Sequence, residues 1–457
     1  MSNAKLMAPL PILLIIASFL CPTELSLYIA GLRLPPHRVA LILLLPVAIA
    51  RLMTRHDQRL RAFDYLFIVF GLWTIGAYAS HTGKDGFVYG GSLALEALGG
   101  YFVARAFVRT GDELRATMRA FVTAIVIAAL FALPEALFGQ IYTHDLLRQL
   151  TGYHHPIGIE TRLGLTRAYG TFDHPIHYGT FCAALLALFW YAERRTTTRR
   201  INAGTMTLAT FLGLSSAPML CLGLQGGMLL WDRVTRRIKS RMTITLTALV
   251  GLYIGMSAFS NRSPIAFIAT GMTLDPWTGF YRLQIWEAGM QNVWANPWTG
   301  IGLGDWERPW WMVSDTVDAF WLVIAMRQGI PAFLLLAIAI ILLARAVLLR
   351  RHRHVDENAT RVAIGWMMTV IALSLIGATV HYWNVLHAFF FFVLGLGGWI
   401  ADPARSVAAS FAVRKVETSH SHDRRSSDRK PQPERGRPYP IPSTAVAPYG
   451  RPYRAAP

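Results

Sequence analysis

A chain of 457 residues that is 53% hydrophobic and only 15% charged lies well below the roughly 25% charge of soluble domains. Its many apolar runs approach or exceed the about 18 residues that cross a bilayer, which excludes a soluble globular fold, and they do not alternate as the strands of a membrane barrel do. The formal net charge of +18 sits mostly between those runs and in the C-terminal tail, the pattern of loops facing the cytoplasm, which argues against nucleic acid as a partner.

The expected architecture is an all-α polytopic membrane protein with about twelve transmembrane helices. The apolar runs fall near 7–21, 36–53, 63–80, 87–107, 117–138, 177–193, 202–215, 217–231, 242–259, 329–349, 362–380 and 384–401. The first has no small-x-small cleavage site after it and reads as an uncleaved helix, not a signal peptide. The pair at 202–231 is short, and Ser215, Ser216 and Pro218 mark the break between its members. Arginines such as Arg51, Arg109, Arg119, Arg194, Arg199, Arg233, Arg236 and Arg350 fall in connections on one side. The charge rule makes that side cytoplasmic, with both termini on it. Arg33 and Arg38 are the main exceptions, in the first outer connection. Two long connections then lie on the outer face, near 139–176 and 260–328. Residues 1–401 form the membrane domain; 402–457, rich in Arg, Ser and Pro, read as a basic disordered cytoplasmic tail. No internal repeat of the kind found in secondary transporters is visible. Cys21, Cys182 and Cys221 form no metal or disulfide spacing.

The first outer connection ends in "TRAYGTFDHPIHYG", Thr166 to Gly179. His174 and His177 are three apart, as two metal ligands on a helix would be, but Pro175 lies between them and no cysteine accompanies them. The competing reading is a helix cap, with Asp173 just outside the helix and Pro175 just inside its start. A helix start also favours an anion. In the second connection, "GFYRLQIWEAGMQNVWANPWTGIGLGDW" reads as a short amphipathic helix and a glycine turn, with Arg282 and Trp286 on one face. The "GIGLG" run follows no strand, so it is not a dinucleotide fingerprint. Eight of the chain's 14 tryptophans lie between 260 and 328, either as an interfacial belt or as platforms for sugar rings. Further on, Gly329 and Pro331 should separate a short outer-surface helix, Val317 to Gln328, from the span that follows. Asp318 opens that helix as a cap or as a catalytic carboxylate, and Arg327 lies nine residues later. Glu96 is the one clear mid-membrane acid, a position that defaults to function.

Three separated segments together resemble the O-antigen ligase and Wzy-type polysaccharide polymerase superfamily. The family's R-x-x-G-x-F-x-x-P element is similar to Arg167, Gly170, Phe172 and Pro175. Its R-x-x-x-W and P-x-x-G-x-G elements are similar to Arg282, Trp286, Pro297, Gly300 and Gly302. Its H-N-x-Y-L and G-x-x-G elements are met loosely by Asp318, Ala319, Trp321, Leu322 and Gly329. Here Asp318 stands at the family histidine, Ala319 at the asparagine after it, and Ala332 at the second glycine. "SSAPM", Ser215 to Met219, replaces the usual Ser-Arg-Gly, and Ile176 replaces the asparagine after the first loop's proline.

The resemblance implies a bacterial inner-membrane enzyme with a large periplasmic loop. It implies a donor glycan on undecaprenyl pyrophosphate and an acceptor glycan hydroxyl, with membrane lipid and polysaccharide export or chain-length proteins as further partners. It requires no cofactor and no metal, since arginines can meet the charge of a pyrophosphate leaving group. Arg167 and Arg282, then Arg327, are the expected phosphate-binding groups, with Trp286 beside the substrate. Asp318 is the expected base and His174 its competitor. The departures favour a polymerase of O-antigen, capsule or exopolysaccharide over a ligase to lipid A core; a polysaccharide transporter or flippase is the reading from another class.

Overall fold

The structure is a computed structural model and describes residues 7–29, 32–54, 60–153, 158–162, 164–238, 247, 276–312, 314–351 and 357–401. The expected span near 242–259, Thr247 excepted, and the tail 402–457 lie outside them. The fold is all-α. Its strands, among the described residues, are two short antiparallel hairpins, Leu27–Ile29 with Leu32–Leu34 and Thr161–Arg162 with Leu165–Thr166.

Among the described residues, seven helices are long and apolar enough to cross a bilayer: Pro36–Thr54, Ala62–Thr82, Lys84–Phe107, Gly111–Phe138, Pro175–Ala192, Phe320–Leu349 and Ala359–Ile376. Leu10–Leu20 and Val385–Ala401 are shorter apolar helices. Thr196–Leu212 and Ser216–Thr235 occupy the short pair's positions. Helices thus stand at every predicted position within the described residues. Local chemistry sets their ends. Gly111–Phe138 starts in a capping box: the Glu113 amide donates to Thr110 Oγ1, and the Thr110 amide to Glu113 Oε2, each at 3.1 Å. Gly139, with φ +74°, ends it in the left-handed region.

Helix Val385–Leu396 is buried along its whole length, as a helix apolar on all sides must be. Phe389 and Phe392 meet Phe19 and Phe121 edge-on, and Phe391 stacks on Phe70. Small residues let this helix approach Lys84–Phe107: a Cβ on Gly100 would lie 2.3 Å from the Ala388 carbonyl oxygen, and one on Gly395 2.2 Å from that of Tyr101. Exposed leucines on the outer helices, such as Leu43, Leu72 and Leu130, are the surface a hydrocarbon solvent accepts.

The short helix expected over Val317–Gln328 is present in part. Its helical part begins at Phe320, runs to Gln328 and breaks at Gly329 (φ 85°, ψ 166°), as the Gly–x–Pro signal required. It lies in the interior, with Phe320, Leu322 and Met326 buried. The reason is its sequence, "FWLVIAM", which offers no polar face to water. Gln328 fixes its end on helix Ala62–Thr82: its Oε1 accepts from Thr74 Oγ1 at 2.8 Å, and its carbonyl from Trp73 Nε1 at 2.9 Å.

Candidate functional site

A glycine turn is locked against the break at Gly329. The amides of Ile301 and Gly302 donate to the carbonyls of Met326 and Arg327, and that of Ile330 to the carbonyl of Pro297. Backbone meets backbone, so side chains do not fit. A Cβ on Gly300 would lie 2.4 Å from the Arg327 carbonyl carbon, and one on Gly329 1.8 Å from the Trp298 oxygen. Arg327 completes the clasp, donating from Nη1 to the carbonyls of Gly302 (2.9 Å) and Gly304 (3.1 Å).

Beside this clasp a cavity of about 480 Å³ is lined by Arg38, Tyr89, Asp318, Arg327, His381 and Asn384, among others. Burial raises the Asp318 pKa above the ordinary aspartate value, and the Arg282 guanidinium pulls it back. Asp318 precedes Phe320 without capping it: the Phe320 amide donates instead to the Val380 carbonyl. Arg282, on helix Pro276–Ala295, is 8% exposed, and its Nε is buried with no hydrogen-bond partner. Burial lowers its pKa, and Asp318 opposes that shift. A buried guanidinium lacking a hydrogen bond carries a cost that an anionic ligand would offset. Trp286, one turn along, donates to the Ala378 carbonyl at 2.8 Å and ties the helix to the connection 377–384.

Arg38, one of the two exceptions to the charge rule, reaches the cavity from the start of helix Pro36–Thr54. Its Nε donates to Glu96 Oε1 at 2.7 Å. His37 Nε2 stands 3.1 Å from the same oxygen, and His387 Nδ1 3.2 Å from Oε2. Glu96, itself fully buried, is therefore the hub of a cluster that fixes a partly exposed cation at the cavity wall. Arg33, the other exception, lies over the Tyr153 ring.

The first outer loop docks alongside and makes more hydrogen bonds. Arg167 is 3% exposed; its Nη2 donates to Ser215 Oγ at 2.6 Å, its Nη1 to Glu160 and its Nε to the Gly213 carbonyl. The break between the two short helices, where Leu214 takes φ +41°, thus receives this arginine. Glu135 Oε2 accepts from the amides of Tyr169 and Gly170, each at 2.8 Å. Asp173 does not cap helix Pro175–Ala183. His174 does, its Nδ1 accepting from the Ile176 amide at 3.1 Å. Asp173 is already committed, accepting from Thr23 Oγ1 (2.6 Å) and Asn384 Nδ2 (2.9 Å). Burial, followed by the Arg167 charge, lowers the His174 pKa to about 4. A neutral ring whose Nδ1 accepts carries its proton on Nε2, so His174 donates and does not accept there.

The cavity thus unites Asp318 and Arg327, with Arg282 electrostatically coupled to Asp318; Arg167, His174 and Trp286 lie off its wall. Sequence reasoning missed Asn384, which links the cavity to Asp173 with φ +50°, a conformation uncommon outside glycine. It also missed His381, whose pKa falls to about 3 through burial and then the charges of His387 and Arg327. Among the described residues, no three His, Cys, Asp or Glu side chains group so as to hold a metal ion.

Residues 201–337 match the family model described as O-antigen ligase (Wzy_C). The resemblance read from the motifs is present over that stretch, under a third of the chain. It includes Arg282, Gly300, Asp318 and Arg327; Arg167 and His174 precede it. A search of curated proteins found no match.

Proposed function

We propose that this membrane protein is a glycan polymerase. It moves a glycan from undecaprenyl pyrophosphate to an acceptor sugar hydroxyl, at the periplasmic face of a bacterial inner membrane. The O-antigen ligase family match supports transfer from a lipid-linked donor. The observation that carries the reading is the placing of the Asp318 carboxylate with the cations Arg38 and Arg327 in one cavity, whose lining also includes Asp315, and with the buried Arg282 beside it.

The acceptor oxygen attacks the anomeric carbon, the bond from that carbon to the pyrophosphate breaks, and the acceptor proton passes to Asp318. A raised pKa makes Asp318 a stronger base than an exposed aspartate. Arg38 and Arg327 meet the charge growing on the departing pyrophosphate, and a donor of this kind is worth roughly 10²–10³ in rate. Glu96 positions Arg38, and the turn carbonyls position Arg327. Arg282 keeps Asp318 ionisable. Arg167, His174 and Trp286 hold the loops that frame the cavity.

The family description favours one second reading, ligation of a finished polymer to lipid A core. A deletion strain's glycans, sized on a gel, separate the two. Loss of a polymerase leaves single repeat units, whereas loss of a ligase leaves long lipid-linked chains unattached. Normal glycan at every size in that strain would overturn both.

A further inference from the structure

Helix Pro175–Ala192, a span of about 27 Å at 1.5 Å per residue, begins at the site loop and ends at a second cavity. That cavity is larger, about 970 Å³, and its wall carries five arginines: Arg194, Arg199, Arg233, Arg236 and Arg361. They come from three separate stretches of chain, so a single basic run does not explain their convergence. Arg195, Arg200 and Arg237 belong to the same basic connections and do not line it.

The two carboxylates in the wall are engaged. Glu193 is held by Arg119 Nε (2.9 Å) and Nη2 (3.2 Å), and Asp232 Oδ2 accepts from Tyr191 Oη at 2.6 Å. The Arg199 guanidinium lies 4.8 Å over the Trp190 ring, and its Nε is buried without a hydrogen-bond partner. Arg194, Arg233 and Arg236 are exposed and make no ion pair among the described residues. Between them Leu186, Leu229 and Ile364 supply an apolar part of the wall. Gly204 and Gly226 face open space, with nothing within 4 Å of where a Cβ would stand.

We propose that this cavity binds the phosphate of an anionic phospholipid in the leaflet opposite the transfer site. Guanidinium groups take the phosphate oxygens, Trp190 and Arg199 form a flat ledge under the headgroup, and an acyl chain lies along Leu186, Leu229 and Ile364. The head of such a lipid sits at the level where span-terminal arginines sit.

The test uses the full-length protein, stripped of lipid in detergent, with native mass spectrometry counting the lipids it retains. The probes are phosphatidylglycerol, phosphatidylcholine and inorganic phosphate. The expected result is one retained phosphatidylglycerol, bound about tenfold or more tighter than phosphatidylcholine. That preference disappears in Arg199→Gln/Arg233→Gln and survives in Arg195→Gln/Arg200→Gln. Gly226→Phe fills the cavity without removing a charge, and it loses the lipid as well; it serves if the arginine variant does not fold. Equal loss in the Arg195→Gln/Arg200→Gln protein would reduce the effect to surface charge and overturn the site. Retention in Gly226→Phe, or inorganic phosphate competing as tightly as the lipid, would overturn it too.

Discussion

Arg167 and Arg282 open two segments that resemble motifs of one family, yet their surroundings differ. Arg167 has a partner at Nε, Nη1 and Nη2: Gly213, Glu160 and Ser215. Arg282, as deeply placed, has a buried Nε without a hydrogen bond and a single charged counterpart in Asp318. A satisfied network fixes a structure; an unsatisfied one awaits a ligand or tunes a neighbour. Two arginines that look alike in sequence thus differ in structure: the first is fully partnered and the second is not.

The largest expected effect is at Asp318. Asp318→Asn should lower turnover by about 10²–10⁴ and leave the amount of folded protein in the membrane unchanged. Asp318→Glu should keep a measurable part of the rate. Next is the arginine pair itself. Arg282→Ala should cost roughly 10²-fold in turnover per folded molecule with little change in Tm. Arg167→Ala should instead lower stability by roughly 1–3 kcal/mol, since it strands the buried Ser215 hydroxyl and Gly213 carbonyl. Thermal melts and single-turnover rates on the same samples separate the two, and an exchange of these phenotypes would break the comparison.

The division was only partly legible. Helix positions followed from apolar runs, and the break at Gly329 from a Gly–x–Pro signal, because backbone chemistry acts over a few residues. The glycine turn was legible as a turn, but its dependence on the backbone at 326–330 was not, since that packing joins segments remote in sequence. Asp173 reads as a cap from its place before Pro175. It is drawn away by Thr23 and Asn384, some 150 and 211 residues distant, and His174 takes the role. Arg38 was visible only as a violation of the charge rule, because Glu96 is 58 residues off. A misplaced arginine and a mid-membrane acid in one sequence are a pair worth seeking.

The smaller effects concern protons. If Asp318 acts as a base, activity should rise with pH along a limb set above the ordinary aspartate pKa of about 3.9, because burial raises it. Arg282→Gln removes the opposing charge, so the limb should move to still higher pH; a shift downward would contradict the coupling. The weakest expected effect is at His144, whose Nδ1 lies 2.6 Å from Glu24 Oε1. Burial opposes its charge, but the hydrogen bond and charge of Glu24, together with the charges of Glu135 and Asp173, raise the pKa. The pair's contribution is therefore complete below the unfolded histidine value of about 6.5 and lost as pH rises through the folded one. Glu24→Gln should flatten that part of a melt-versus-pH curve.

The most direct measurement is turnover of an undecaprenyl-pyrophosphate-linked oligosaccharide by the purified protein in detergent, comparing wild type, Asp318→Glu and Asp318→Asn. Elongated glycan from wild type, less from the glutamate variant and none above background from the asparagine variant is the predicted result. An asparagine variant as active as wild type would contradict it.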